Sequence, residues 1–199
     1  MIIIKHRINN IDQLKKTPKK YGVEIDLRSN KKLIYLHHDP FKKGVKFEKW
    51  IKSFKHRLIV LNVKEEGLEK KIIDILKKNK VHNFFFHDQT FSSLLKNMKK
   101  TNASIRYSEF EEIKRKKYIF KYIKWIWIDH FTKFSLGINF YNFLKKNNVK
   151  ICLVSPELVN KKKANKAIFN LKKTLFRKGF IIDAICTKMP SFWDKLSLK

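Results

Sequence analysis

The sequence predicts an α/β fold in which short buried strands alternate with amphipathic helices. Apolar, β-branched or aromatic runs recur along the 199 residues, and lysine-rich stretches with helical periodicity separate most of them. Strands that are apolar on both faces and alternate with helices are typical of a parallel sheet covered by helices. Hydrophobic residues make up 43% of the chain, which is enough for a sizeable core.

Nine runs have the length and composition of strands: Ile2–Lys5, Gly22–Leu27, Leu33–His37, Leu58–Val63, Asn83–His87, Ala103–Tyr107, Trp125–Ile128, Ile151–Val154 and Ile181–Cys186. Only Arg28–Lys32 separates the second run from the third, which leaves room for a hairpin turn but not for a crossover helix. The third run is therefore expected to fold back antiparallel beside the second. The other eight predict a closed (β/α)8 TIM-type barrel with a short β-hairpin extension after the second strand.

Helices are predicted where apolar residues recur with helical spacing. Within residues 68–80, for example, Leu68, Ile72, Ile75 and Leu76 stand at i, i+4, i+7 and i+8. No glycine-rich phosphate loop follows any strand, which disfavours an open doubly wound sheet, the structural alternative. The length and the lack of a low-complexity linker predict a single compact domain over residues 1–199.

The net charge of +30 raises the possibility of nucleic-acid binding. Lysine is spread over nearly every helical segment, however, whereas a dedicated binder concentrates charge on one surface and interleaves aromatic residues with it. Lys, Asn, Ile and Phe, which have AT-rich codons, are all abundant, so codon bias explains the lysine content. Nonspecific attraction of anions is expected, without a specific nucleic-acid partner.

Cysteine use and hydropathy predict a cytoplasmic protein without a transmembrane segment. Cys152 and Cys186 lie in apolar runs and are expected to be buried free thiols, because two cysteines provide neither a disulfide framework nor a zinc-site spacing. The N-terminal sequence MIIIKHR is too short for a signal peptide, and no run approaches the ~18 apolar residues of a membrane helix.

Polar residues collect where the predicted strands end. In a (β/α) barrel these ends form the active face, so the candidates are His6, Arg7, Glu24, Asp26, His38, Asn62, Lys64, His87, Asp88 and Asp129. Glu24 and Asp26 are two residues apart on one strand, so their side chains share a face. Two carboxylates held together repel each other unless a cation lies between them, which indicates a site for a hard metal ion.

The remaining candidates suit the chemistry of phosphate esters. Arg7 and Lys64 carry the fixed positive charge that binds phosphate. Two histidines can serve as general acid and general base near neutral pH. A divalent metal, phosphate-binding cations and paired histidines together indicate cleavage of a phosphoester.

At these residues the chain resembles the glycerophosphodiester phosphodiesterase family. The family's early motifs are met in order: His6-Arg7-Ile8 at the end of the first strand, Glu24-x-Asp26 on the second, and His38-Asp39 closing the hairpin. Further on, Asn62-x-Lys64 stands where the family has Glu-x-Lys, and DAICTKMP at residues 183–190 resembles its closing strand.

The resemblance implies a metal-dependent hydrolase with a function in lipid metabolism, acting on a glycerophosphodiester or a related phosphate-polyol. His6 and His38 would be the acid–base pair, and Arg7 and Lys64 would hold the phosphate. Glu24, Asp26 and Asn62 would bind Mg²⁺ or Ca²⁺. His87, Asp88 and Asp129 would be further substrate contacts.

Three departures from the family pattern leave alternatives open. Ile8 replaces a glycine, and Asn62 replaces a carboxylate, which removes one negative charge from the metal site. The family's Glu-Asn pair downstream of the first motif is missing, and Asn9-Asn10 are not expected to replace it. A catalytically impaired barrel that binds phosphorylated sugars or lipids is the main alternative, and a basic nucleic-acid-binding protein is the less favoured one.

Overall fold

The structure is a computed structural model that describes residues 1–31, 33–111, 113, 117–159 and 163–196. The chain divides into two compact units, one of Ile4–Ala103 and one of Met1–Ile3 with Ser104–Lys199. All nine predicted strands are present, and helices follow most of them. The predicted α/β class is therefore confirmed.

The Ile4–Ala103 unit holds a mainly parallel sheet. Its elements in chain order are β1 (Ile2–Lys5, from residue 4 onward), α1 (Ile11–Lys16), β2 (Gly22–Asn30), β3 (Leu33–Leu36), β4 (Val45–Lys46), α2 (Phe47–Trp50), a 3₁₀ turn (Ile51–Ser53), β5 (Ile59–Val63), α3 (Glu69–Lys78), β6 (Phe84–His87) and α4 (Phe91–Asn97). Strand β2 pairs in parallel with β1 and β5, and β5 pairs in parallel with β6.

Strand β2 is the longest strand of this unit, and its two halves have different partners. Residues 23–27 pair with β5, whereas residues 27–30 pair antiparallel with β3, from Leu27 opposite Leu36 to Asn30 opposite Leu33. Strand β4 then pairs antiparallel with β3. The sequence analysis did not predict β4, because a two-residue strand has no apolar run that would indicate it.

Residues on one face of β2 and β5 form the core of this unit. Val23, Ile25 and Leu27 are fully buried and belong to one apolar cluster with residues of β5 and of α3. Because side chains alternate along a strand, the intervening residues of β2 point to the opposite face. The core therefore decides which side chains of β2 are left for chemistry.

Helix α3 follows the predicted pattern, with Ile72, Ile75 and Leu76 buried on one face. It ends at Lys78, two residues before the predicted end. Lys80 adopts a left-handed φ of 56°, which helical backbone does not allow, so the helix stops before it.

The second unit contains a fully parallel set of strands. Its elements are β7 (Ser104–Tyr107), a 3₁₀ turn (Lys117–Lys121), β8 (Trp125–Ile128), α5 (Ile138–Lys146), β9 (Lys150–Val154), a 3₁₀ turn (Pro156–Leu158), α6 (Ala164–Arg177), β10 (Ala184–Thr187) and α7 (Pro190–Leu196). The strands pair in the order β7, β8, β9, β10. Strand β10 begins three residues later than predicted, since Ile181 is largely exposed and Asp183 accepts a hydrogen bond from the Ile151 N–H.

Two predictions about composition can be checked directly. Cys152 and Cys186 are buried free thiols on the adjacent strands β9 and β10, as predicted. Among the helices in the described ranges, none is both long and apolar enough to cross a membrane.

Candidate active site

Strand β2 presents two buried carboxylates on the face opposite the core. Glu24 is 1% exposed and Asp26 is 0% exposed, and both alternate with the core residues Val23, Ile25 and Leu27. This is the arrangement that their spacing of two residues predicts. Two acidic side chains removed from water in this way need hydrogen bonds or positive charges around them.

The register of the parallel strands brings further polar residues beside this pair. Asp26 lies opposite Asn62 of β5, and Asn62 lies opposite His87 of β6. Matched positions on neighbouring parallel strands place their side chains on the same face of the sheet. Lys64 follows Asn62 by two residues and extends the same face just beyond the end of β5.

Glu24 is held by groups from two other strand ends. Its Oε2 accepts a hydrogen bond of 2.8 Å from the backbone N–H of Arg7, and its Oε1 accepts one of 2.9 Å from Nδ2 of Asn62. His6 lies beside the same carboxylate, with Nε2 3.8 Å from Oε2. Its predicted neighbours His6, Arg7 and Asn62 therefore converge on Glu24.

The residue of the first motif with left-handed backbone is Arg7 and not Ile8. Arg7 has a φ of 55°, a conformation that few non-glycine residues adopt. Ile8 has no positive φ and is buried in the apolar core of the unit. Its N–H donates to the Glu24 carbonyl at 2.8 Å. The isoleucine in place of the family's glycine is therefore accommodated as a core residue.

Asp26 is surrounded by one amide and two cations. Its Oδ2 accepts a hydrogen bond of 2.9 Å from Asn9 Nδ2, and its own N–H donates to Asn9 Oδ1, also at 2.9 Å. Nε of Arg7 lies 3.9 Å from Oδ2, and Nζ of Lys64 lies 3.7 Å from Oδ1. Lys64 also donates to Asp88 Oδ2 at 2.8 Å.

Asn9 belongs to the site, although Asn9-Asn10 are not expected from the sequence to replace the family's Glu-Asn pair. Its side-chain amide forms hydrogen bonds with both the carboxylate and the backbone N–H of Asp26, so it fixes the position of that acid. The only signal in the sequence was its place three residues after His6, at the end of the first strand. Its fit to Asp26 depends on how the two strand ends are aligned, which a single sequence does not contain.

His38, a predicted member of the acid–base pair, has Asp39 as its partner. The His38 ring is half-exposed after β3 and pairs with Asp39, at 2.9 Å between Nδ1 and Oδ1. Within the described ranges, no hydrogen bond or ion pair joins that ring to Glu24 or Asp26. Asp129 belongs to the second unit, where Nη1 of Arg106 lies 3.5 Å from its Oδ2. His87 is buried in the row that contains Asn62.

Burial raises the pKa of Glu24 to about 7, and the nearby negative charge of Asp26 adds to the effect. The hydrogen bonds from Asn62 and Arg7 act in the opposite direction, because they stabilise the ionised form. The folded protein therefore holds a proton on Glu24 at pH values where the unfolded chain, with a pKa near 4.5, has lost it.

This raised pKa predicts a pH-dependent stability in the presence of a chelator. The folded state binds the proton more tightly, so the contribution of Glu24 to stability is greatest below pH 4.5 and falls by about 3 kcal/mol as the pH rises to 7. Urea unfolding of the wild type and of Glu24→Gln should show this slope only in the wild type. Equal slopes in the two proteins would contradict the raised pKa.

The oxygens of this cluster fit a hard divalent cation. Asp26 Oδ1 and Asn62 Oδ1 are buried and accept no hydrogen bond within the described part of the chain. Carboxylate and amide oxygens are the ligands that Mg²⁺ and Ca²⁺ prefer. Only two carboxylates contribute, and the described residues contain no group of three or more His, Cys, Asp or Glu side chains arranged to hold a metal.

A cavity of about 330 Å³ adjoins the cluster on the side of Lys64 and Asp88. Its remaining polar lining comes from Glu65, Glu66, Glu69, Gln89, Thr90 and Ser93. Glu69 is buried there and accepts hydrogen bonds from Ser93 and Gln89. The cavity thus provides a polar space beside Lys64, which lies next to Asp26, and beside Asp88, which accepts a hydrogen bond from Lys64.

Comparison with known proteins decides the fold. No protein-family model and no curated protein matches the chain. Among solved structures, a glycerophosphodiester phosphodiesterase from Agrobacterium tumefaciens matches with a TM-score of 0.69 at 9% identity, covering 98% of this chain and 99% of that one. The enzyme from Thermotoga maritima matches with a TM-score of 0.68 at 18% identity, covering 98% and 97%. This chain has the fold of a glycerophosphodiester phosphodiesterase.

A third solved structure extends the comparison to a complex. The phosphodiesterase of Oleispira antarctica, in complex with the product sn-glycerol-3-phosphate, matches with a TM-score of 0.70 at 14% identity and covers 99% of this chain and 97% of that one. The predicted resemblance to the glycerophosphodiester phosphodiesterase fold is confirmed. These matches favour a TIM-type barrel as the architecture.

Proposed function

We propose that this protein hydrolyses a glycerophosphodiester or a related phosphate-polyol. The observation that carries the proposal is the buried pair Glu24 and Asp26, contacted by His6, Arg7 and Lys64, on a glycerophosphodiester phosphodiesterase fold. The bound product of the Oleispira antarctica phosphodiesterase, sn-glycerol-3-phosphate, indicates the kind of molecule that such a fold accepts.

Arg7 and Lys64 are the proposed phosphate ligands. Arg7 lies beside Oδ2 of Asp26 and Lys64 lies beside Oδ1. The Arg7 side chain is 41% exposed, so its guanidinium can still reach a ligand. An arginine can bind two phosphate oxygens at once, whereas the lysine ammonium acts as a single charge.

Glu24, Asp26 and the Asn62 side-chain oxygen are the proposed ligands of Mg²⁺ or Ca²⁺. When bound, the cation would orient the glycerol hydroxyls and offset the negative charge that develops on the phosphoryl group. Asn62 contributes a neutral oxygen, so we expect weak binding that substrate phosphate strengthens.

His6 and His38 are the proposed acid–base pair. In the hydrolysis, one imidazole takes the proton of the attacking oxygen and the other donates a proton to the leaving alkoxide. The position of His6 supports this assignment, because its Nε2 lies 3.8 Å from Oε2 of Glu24, within the carboxylate cluster. For His38 the support is the family motif, with Asp39 as the partner of Nδ1.

The direct test is release of glycerol 3-phosphate from glycerophosphocholine with Mg²⁺ or Ca²⁺. His6→Ala should lower kcat by about 10²–10⁴-fold, since it removes one proton-transfer group. His82→Ala, which changes an exposed histidine of the same unit, should leave the rate unchanged. Absence of product with every divalent cation tried would overturn the enzymatic proposal.

One observation favours the catalytically impaired alternative. Nδ2 of Asn62 donates to Oε1 of Glu24, so this oxygen of the proposed metal ligand has a partner without a cation. If the protein only binds phosphorylated sugars or lipids, calorimetry would detect glycerol 3-phosphate binding while no hydrolysis occurs.

Four further expectations stay predictions: closure of a (β/α)8 barrel with the hairpin extension, a single domain, a cytoplasmic location and a role in lipid metabolism.

A further inference from the structure

A short loop beside the candidate site exposes an aromatic side chain among lysines. The loop comprises residues 40–43 (the 40–43 loop), with the sequence Pro-Phe-Lys-Lys, and follows His38 and Asp39 directly. Phe41 is 105% exposed, so none of its ring is covered, and its φ of 60° is left-handed. An uncovered phenylalanine gains free energy from any apolar environment that it can enter.

The 40–43 loop also forms one wall of a basic cavity of about 540 Å³. Residues of the β2–β3 turn also line this cavity, and its described cations are Arg28, Lys31, Lys42 and Lys43. Tyr35 contributes a second aromatic ring. Among the described residues of the lining, Glu65 is the one acid, and its Oε1 lies 3.7 Å from Nη1 of Arg28. The cavity is therefore strongly positive and has an apolar projection at its rim.

We propose that the 40–43 loop and this cavity dock onto an anionic lipid surface. Phe41 enters the boundary between headgroups and acyl chains, and the four cations face the negatively charged headgroups. Cations around an apolar side chain are the combination that binds anionic membranes peripherally. The net charge of +30 acts in the same direction by attracting the whole chain to such a surface.

The arrangement favours a lipid surface over a single-stranded nucleic acid. Proteins that bind single strands stack successive bases on several aromatic side chains along a basic groove. Here Phe41 projects fully from the rim, while Tyr35 is only partly exposed inside the cavity. A single projecting ring suits insertion into a bilayer better than stacking along a strand.

Docking at this place would bring lipid headgroups close to the candidate site. Nε of Arg28 donates to the carbonyl of His38 at 2.9 Å, and Glu65, which accepts from the Ser29 N–H at 2.9 Å, directly follows Lys64 in sequence. Hydrogen bonds from β2 to the segments that follow β3 and β5 thus connect the docking surface with the carboxylate cluster. The proposal concerns binding alone and does not depend on catalysis.

The test is sedimentation of the full chain with vesicles of phosphatidylglycerol and phosphatidylcholine, compared with vesicles of phosphatidylcholine alone. The wild type should bind only the anionic vesicles, and salt should weaken the binding. The pair Lys42→Gln and Lys43→Gln should lower the partition coefficient by about 30-fold, because each lysine near the surface contributes about fivefold. Phe41→Ala should lower it by about tenfold.

Matched controls separate the loop from the general charge of the protein. Lys77→Gln with Lys78→Gln removes two exposed lysines from α3, and Phe176→Ala removes an exposed ring from α6. Both controls should retain nearly wild-type binding. Equal losses in loop variants and controls would overturn the proposal, and so would loss of single-stranded RNA binding in the loop variants with vesicle binding intact.

Discussion

Asn62→Asp is expected to weaken the fold in the presence of a chelator and to strengthen the binding of divalent cations. In the wild type, Nδ2 of Asn62 donates to Glu24 Oε1 at 2.9 Å. An aspartate loses that donor and places a third carboxylate beside two buried ones. The free energy of unfolding should fall by at least about 2 kcal/mol without a cation, because a buried acceptor loses its donor and a like charge is added.

The same substitution should reverse its effect when Mg²⁺ or Ca²⁺ is present. A third negative ligand raises the charge that the site offers to a cation, so affinity should rise by about tenfold or more. Isothermal calorimetry measures the affinity, and urea unfolding with and without the cation measures the reversal. Neither readout requires the protein to be an active enzyme.

Asn62→Leu is the matched control for this experiment. Leucine has a similar volume, removes the donor to Glu24 and offers no oxygen. Asn62→Leu should therefore destabilise the protein in the presence of a chelator, and adding a cation should not restore the stability. If Asn62→Asp and Asn62→Leu behave alike in both conditions, the oxygens of Glu24, Asp26 and residue 62 do not form a cation site. The proposed metal dependence would then be abandoned.

Asp26→Ala is expected to cost about 3–5 kcal/mol of stability, the usual effect of removing one partner from a buried ionic cluster. Asp26 is fully buried, and its loss removes the acceptor of the Asn9 amide and one of the two carboxylates beside the Lys64 ammonium. Hydrolysis should also be lost, since Asp26 is a proposed metal ligand and lies beside both proposed phosphate ligands, Arg7 and Lys64. Urea unfolding and the glycerophosphocholine assay measure the two effects.

An exposed aspartate provides the comparison. Asp74 pairs with Lys70 at 3.1 Å on the surface of α3, where both side chains are mostly in water. Asp74→Ala should change the free energy of unfolding by no more than about 0.5 kcal/mol, because solvent screens such pairs. Similar losses for Asp26→Ala and Asp74→Ala would show that the Asp26 cluster does not stabilise the fold.

The candidate site shows how far local sequence patterns extend. The alternation of Val23, Ile25 and Leu27 with Glu24 and Asp26 was enough to predict that the two acids share one face. Strand alternation is a local property, because each side chain points opposite to its neighbour whatever the rest of the chain does. For the same reason the strands and the helix pattern of residues 68–80 could be predicted with small errors at their ends.

Contacts between distant segments could not be predicted in the same way. Three features of the site depend on strand register and on the close approach of strand ends. They are the hydrogen bond from the Asn62 amide to Glu24, the two hydrogen bonds between Asn9 and Asp26, and the left-handed backbone of Arg7. Neither is encoded in a short window of residues, because register is set by the packing of whole strands and helices.

The sequence by itself therefore determined the α/β class, the buried cysteines and the residues that carry the resemblance to glycerophosphodiester phosphodiesterases. Local periodicity and residue chemistry are sufficient for each of these. Only the tertiary structure decided that His6, Arg7, Asn62 and Lys64 meet at Glu24 and Asp26, whereas the His38 ring pairs with Asp39. The physical reason is that burial and hydrogen bonding between segments are properties of the folded chain.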